Sequence, residues 1–156
     1  MLGKYLLVFL ISMVPLVELR GAIPYATAVL GLPFLPSYII AVIGNMIPVP
    51  FIYLFARKIL DWGKDKSLIG GFCRFCLTKG EKAGRKLEAR GGYGLFIALL
   101  LFVGIPIPGT GAWTGTLGAS MLDLGFKKST IAVLSGVLLA GVIMLLASSG
   151  LLRIFG

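Results

Sequence analysis

Glu18 and Arg20 are an acid and a base inside an apolar stretch; apart from them, Lys4 is the one charged residue among residues 1–56. A charge at bilayer depth costs about 2.5–3.5 kcal/mol on insertion scales, so two retained together read first as a functional pair. An acid there can exchange a proton, while the base favours the acid's charged form and burial favours its neutral one. Residues two apart on a continuous helix point to nearly opposite sides. Sharing one cavity therefore requires a backbone that is not helical at this point. Pro15 and Pro24 bracket the pair and Gly21 follows it, which predicts an unwound tip short of amide donors. The structural alternative is a neutralised ion pair that only pins a helix break.

A second tip has the same Pro/Gly character without the charge. It runs Ile105-Pro106-Ile107-Pro108-Gly109-Thr110-Gly111. Thr110, Thr114 and Thr116 can offer hydroxyls to a cargo or bond the preceding helical turn. Trp113 can stack on an amphiphilic or cationic ligand or simply pack. Asn45 can bridge a kink or line a path. Gly111, Gly115 and Gly118 read as close-packing positions rather than ligands, and Asp123 as the cap of a turn before Lys127. The expected binding residues are thus Glu18, Arg20, Asn45, Thr110, Trp113 and Thr114, with Pro15, Gly21, Pro24, Pro106, Pro108 and Gly109 as tip or hinge positions.

The chain contains no His, and its two cysteines, Cys73 and Cys76, lack further ligands nearby. No metal site, no cofactor and no enzymatic activity are expected from this set.

The elements that must position these residues follow from the apolar lengths. With 58% hydrophobic and 13% charged residues and a mean hydropathy of +0.99, the chain reads as one integral membrane domain spanning residues 1–156. Residues 5–14 rise roughly 15 Å as a helix, about half the hydrocarbon thickness, so this arm cannot cross alone. Residues 1–32 therefore read as a re-entrant hairpin. Residues 36–58 are long enough to cross, with Gly44, Asn45, Pro48 and Pro50 predicting a kink. Residues 59–90 form a basic segment ending in a solvated surface helix, within which Glu81 and Arg85 are spaced as an i,i+4 pair. Residues 92–122 repeat the hairpin and residues 127–150 the crossing.

The shared order of short arm, Pro/Gly tip, short arm and crossing, together with the echo of residues 38–44 in residues 130–136, predicts two inverted repeats. The expected fold is all-α, each repeat a re-entrant helical hairpin followed by a transmembrane helix, with a cytoplasmic surface helix between the two. Residues 57–90 carry ten Lys/Arg against four Asp/Glu, which places that segment on the cytoplasmic side and gives it anionic headgroups as partners rather than nucleic acid. Four full crossings remain the rival topology, and charge counting does not separate the two.

The string Glu-Leu-Arg-Gly-Ala-Ile-Pro at residues 18–24, with Arg-Gly-Gly-Tyr-Gly-Leu-Phe from residue 90 and the second tip, resembles the small multi-drug export protein family. That family in turn resembles the DedA/SNARE-associated Golgi protein superfamily. The resemblance covers nearly the whole chain. It implies two facing re-entrant hairpins, a prokaryotic cell membrane, and membrane transport, with some superfamily members moving undecaprenyl phosphate or scrambling lipids, often driven by the proton gradient. One departure bears on the cargo. The superfamily's arginines around the second tip are neutral residues here, which leaves Arg20 as the cation near the midplane.

Three functions are compatible with these residues. The first is a proton-coupled exporter of an amphiphilic substrate, with Glu18 exchanging protons. The second is a lipid or polyprenyl-phosphate flippase or scramblase, and the third a non-transporting membrane assembly factor. A homo-oligomer is left open.

Overall fold

The computed structural model describes the backbone of residues 1–89, 93–107 and 109–155. These residues are helical without a strand. Helix α1 (Leu2–Met13) is followed by a turn and by α2 (Glu18–Pro24), which continues into a π-helical turn at Tyr25–Val29. Helices α3 (Phe34–Met46) and α4 (Pro48–Gly63) follow one another through Ile47, which keeps helical dihedrals. Helix α5 (Gly70–Glu88) leads to α6 (Tyr93–Gly104), α7 (Ala112–Met121) and α8 (Phe126–Phe155).

The lengths separate two kinds of helix. Phe34–Gly63, with 30 residues, and Phe126–Ala147, with 22, are long and apolar enough to cross a membrane. The arms α1 and α6 have 12 residues each and α7 has 10, all well short of the ~20 residues a crossing needs. Leu6, Leu10, Ile39, Ile43, Phe51 and Leu54 are exposed on the outside of the bundle. Apolar side chains displayed on this scale call for lipid rather than water around them. The chain is an all-helical membrane protein.

Packing runs in two parallel sets. Helix α1 lies on α3, and α6 lies on α8. Within each set a glycine brings the long helix onto the backbone of the short arm. A Cβ on Gly44 would strike Ser12 Oγ and lie 2.6 Å from the Phe9 carbonyl oxygen. A Cβ on Gly136 would lie 2.7 Å from the Leu100 carbonyl oxygen and 2.7 Å from Val103 Cβ. Gly44 and Gly136 are the closing residues of the two echoing segments, and their targets sit three residues apart in both arms. Helix α4 packs on α7 and ties one set to the other, with Ser120 Oγ donating to the Tyr53 carbonyl at 2.9 Å and Gly125 N donating to Tyr53 Oη at 3.1 Å.

One expectation about the first tip needs correction. The unwound turn is Val14–Val17, not the charged pair itself. Arg20, Gly21 and Pro24 all lie inside α2: Gly21 N donates to the Val17 carbonyl at 3.0 Å, and Pro24 falls at the last residue of α2, where the chain passes into the π-helical turn. What breaks the helix is Pro15 followed by Leu16 at φ 70° and Glu18 at φ 51°. Left-handed dihedrals on residues with a Cβ cost on the order of 1–3 kcal/mol each. Asp123 also differs from expectation: its carboxylate pairs with Arg57 at 2.5 Å rather than capping the turn toward Lys127. Pro108, the side chain of Cys76, and that of Glu81 with its expected partnership to Arg85 lie outside the described residues; Cys73 is buried against Gly63.

Candidate functional site

The site is built where the two helix breaks meet. Pro106 supplies no amide, so the ladder of α6 stops at Gly104 and its last carbonyls turn into the second tip. Arg20 reaches across from α2 and takes them. Its Nη2 donates to the carbonyls of Val103 at 2.8 Å and Ile105 at 3.1 Å, and its Nη1 to the Ile107 carbonyl at 2.6 Å and to Thr110 Oγ1 at 3.2 Å. A guanidinium carries five donors in a fixed fork, so one side chain caps a helix C-terminus that a lysine could serve only at a point.

Glu18 does the opposite job at the other side of the same tip. Its Oε2 accepts from Ala112 N at 3.1 Å and its Oε1 from Trp113 N at 3.0 Å. A carboxylate on the first free amides of α7 matches the positive end of that helix. Gly111 makes the approach possible, since a Cβ there would collide with both carboxylate oxygens. The return contact comes from Trp113, whose Nε1 donates to the Met13 carbonyl at the end of α1 at 3.1 Å.

Glu18 and Arg20 therefore do not form an ion pair with each other; among the described residues, ion pairs join Arg57 with Asp123 and Lys64 with Asp61. Nor do they share a cavity. The expectation of one polar pocket holding both charges fails because α2 is helical and sends them to different helix ends.

Glu18 does face a cavity. A space of about 570 Å³ lies between α4 and the second tip, within the range of small-molecule pockets. Its α4 wall is Ile52, Phe55, Ala56, Ile59 and Leu60, and its tip wall includes Glu18, Thr110, Trp113 and Thr114. Four of the six expected binding residues thus meet on one wall. Arg20 is adjacent in the network but off the wall. Asn45 is apart from both: it is buried in the last turn of α3, does not line the cavity, and its Oδ1 has no hydrogen-bond partner among the described residues.

The threonine hydroxyls are committed to the tip. Thr110 Oγ1 donates to the Ile107 or Ile105 carbonyl, and Thr114 Oγ1 to the Gly109 carbonyl. Thr116 is buried, and its hydroxyl has no hydrogen-bond partner among the described residues. Of the glycines expected to permit close packing, Gly115 does so against Val103 and Leu99, whereas Gly118 has open space in front of it. Gly111, the third of these glycines, also permits a close approach, that of the Glu18 carboxylate; that its neighbour is a carboxylate on the other hairpin is what sequence reasoning misses.

The comparison with known families falls on this architecture. Residues 18–143 match the model of the family described as "Putative small multi-drug export protein", from the first tip's glutamate to the middle of α8. The chain belongs to the small multi-drug export family. The match begins at Glu18 and includes both sides of the cavity. No curated protein and no solved structure matches the chain. The family is named for export, a kind of transport, and transport proteins of this sort are usually not enzymes.

Proposed function

We propose that the chain is a small membrane transporter that exports an amphiphilic substrate through the cavity between α4 and the second tip, with a proton exchanged at Glu18. The observation that carries this reading is the double position of the Glu18 carboxylate. It lies on the wall of an otherwise apolar cavity and also holds the N-terminus of α7. Protonation removes the negative charge that complements the amide end of α7, leaves one good acceptor oxygen in place of two, and so loosens the link between the two hairpins. Proton uptake at the cavity wall is in this way coupled to the packing of the tips.

The architecture behind this reading is a pair of inverted repeats with re-entrant hairpins, as in transporters whose broken helices meet at the midplane. The matched roles of Gly44 and Gly136 and the shortness of α1, α6 and α7 support it. On this topology, a cysteine at Lys127 is labelled from the cytoplasm only. Labelling from outside would establish four full crossings.

The same reading places α5 at the cytoplasmic headgroups. Phe72, Phe75, Arg74 and Lys82 are exposed on it, with Lys82 seven residues from Phe75 and so on the same face. Trp62, 63% exposed, has Lys66 over its ring at 4.5 Å. Exposed aromatic and basic residues side by side suit an interfacial helix on anionic lipid.

The assembly-factor alternative draws on the same bonds, since a carboxylate on a helix N-terminus can serve structure alone. Proteoliposome flux of an amphiphilic substrate, with and without a proton gradient, separates the two. The exporter loses gradient-driven flux in Glu18→Gln while remaining folded. Proton-coupled flux retained in Glu18→Gln would overturn the role given to Glu18.

A further inference from the structure

The sign of the substrate's charge follows from which of the two tip charges reaches the cavity. Of the described residues that line it, Glu18 alone is ionisable. Arg20, two residues along α2, is held off the wall by three carbonyls and a hydroxyl. We infer that the cavity takes a lipophilic cation, such as a phosphonium or quaternary ammonium with aryl or alkyl groups, and rejects phosphates and other anions. This deepens the transport reading above and rests on it.

Three features of the wall converge on that class. An anion would have to lie beside a carboxylate with no cation among the described lining residues to receive it, and phosphate recognition uses charge-assisted bonds from several donors. A cation meets the Glu18 carboxylate and the ring of Trp113 on the same wall, and quaternary centres are attracted to such ring faces. The hydroxyls of Thr110 and Thr114 are spent on tip carbonyls. A substrate with many N–H or O–H groups would therefore leave them unpaired against Ile52, Phe55 and Ile59, which favours a charge masked by carbon over a hydrated ammonium.

The test uses two ions of nearly the same shape and opposite charge, tetraphenylphosphonium and tetraphenylborate. Binding of each is measured on the full chain in nanodiscs, with empty nanodiscs subtracted for partition into lipid. Saturable binding of the phosphonium and none of the borate is expected. Glu18→Gln should weaken phosphonium binding about tenfold or more, the size of one interaction with a charged group. Ala56→Trp, which fills the cavity from the α4 side, should abolish it. The wild-type comparison of the two ions needs no variant to fold. Borate binding as well as phosphonium, with Ala56→Trp abolishing both, would overturn the charge inference and leave the cavity as the site. Phosphonium binding that survives Ala56→Trp would overturn the location. Binding of neither ion nor of a neutral aryl amphiphile would overturn the transport reading itself.

Discussion

The two hairpin tips are built from similar residues and do opposite work. The first is a tight turn, Val14–Val17, followed at once by α2, which carries two charged side chains. The second meets them with neutral groups: carbonyls and the Thr110 hydroxyl toward Arg20, and the first amides of α7 toward Glu18. A broken helix leaves a negative end and a positive end facing one another. One acid and one base two residues apart on the neighbouring hairpin satisfy both. The pairing of each side chain with a helix end, rather than of acid with base, is what allows the first hairpin to keep both in an apolar region. It also explains why the second tip needs no charged residue.

That comparison breaks most visibly at Arg20. Arg20→Ala takes the guanidinium from the Val103 carbonyl at the end of α6, while the Ile105 and Ile107 carbonyls keep Ile107 N and Thr110 N; an acceptor left unsatisfied in lipid costs several kcal/mol, so a loss of about 3 kcal/mol is expected. Thermal unfolding in detergent reads it, and Arg20→Lys should recover only part. Because Glu18 and Arg20 serve different helix ends, Glu18→Ala combined with Arg20→Ala should be less stable than either alone. Recovery in the double variant would mean that the two charges pair with each other and that the helix-end account is wrong.

Much of this arrangement is legible in the amino-acid sequence. The short arms, the two long apolar helices and the second tip follow from apolar lengths and the spacing of Pro and Gly. Four of the six expected binding residues, Glu18, Thr110, Trp113 and Thr114, do share a wall. What the residues do not reveal is the partner of each charge. The spacing of Glu18 and Arg20 argues for an unwound backbone only if the two must meet; it instead matches the distance between two ends of a break on another hairpin. Ion-pair logic looks for a charge nearby in sequence, and backbone dipoles contribute no letter to the sequence. Asn45 misleads for a related reason: its polarity marks it as a site residue, yet it is buried in the last turn of α3, away from the cavity.

Gly111 sharpens the comparison at the position where the two tips come closest. Its backbone is extended, so conformation does not demand glycine; the Glu18 carboxylate does. Gly111→Ala forces that carboxylate away from Ala112 N and Trp113 N, at a cost of about 1–3 kcal/mol for overfilling a packed contact. Gly118→Ala, in the same hairpin but facing open space, should be neutral or stabilise slightly, since alanine is favoured over glycine within a helix. The difference in melting temperature between these two variants measures the contact itself. Equal effects would show that glycine is needed in this arm for flexibility and not for the approach of Glu18.

The smallest effect expected tests whether the tie between the tips is reciprocal. Trp113 Nε1 donates to the Met13 carbonyl, the mirror of Arg20 on the end of α6, but it is one neutral bond in place of four. Trp113→Phe keeps an aromatic ring and removes that donor. Interhelical hydrogen bonds in membrane proteins average about 0.6 kcal/mol, so a shift near the limit of detection is expected for the single variant. A second effect distinguishes the bond from lost packing. Without it the end of α1 is freed while α7 stays capped by Glu18, so hydrogen exchange should rise at residues 14–17 and stay unchanged at residues 112–115. Equal loosening of both segments would show that the two tips open as one body, and that Trp113 adds nothing to α1 which Glu18 does not already hold.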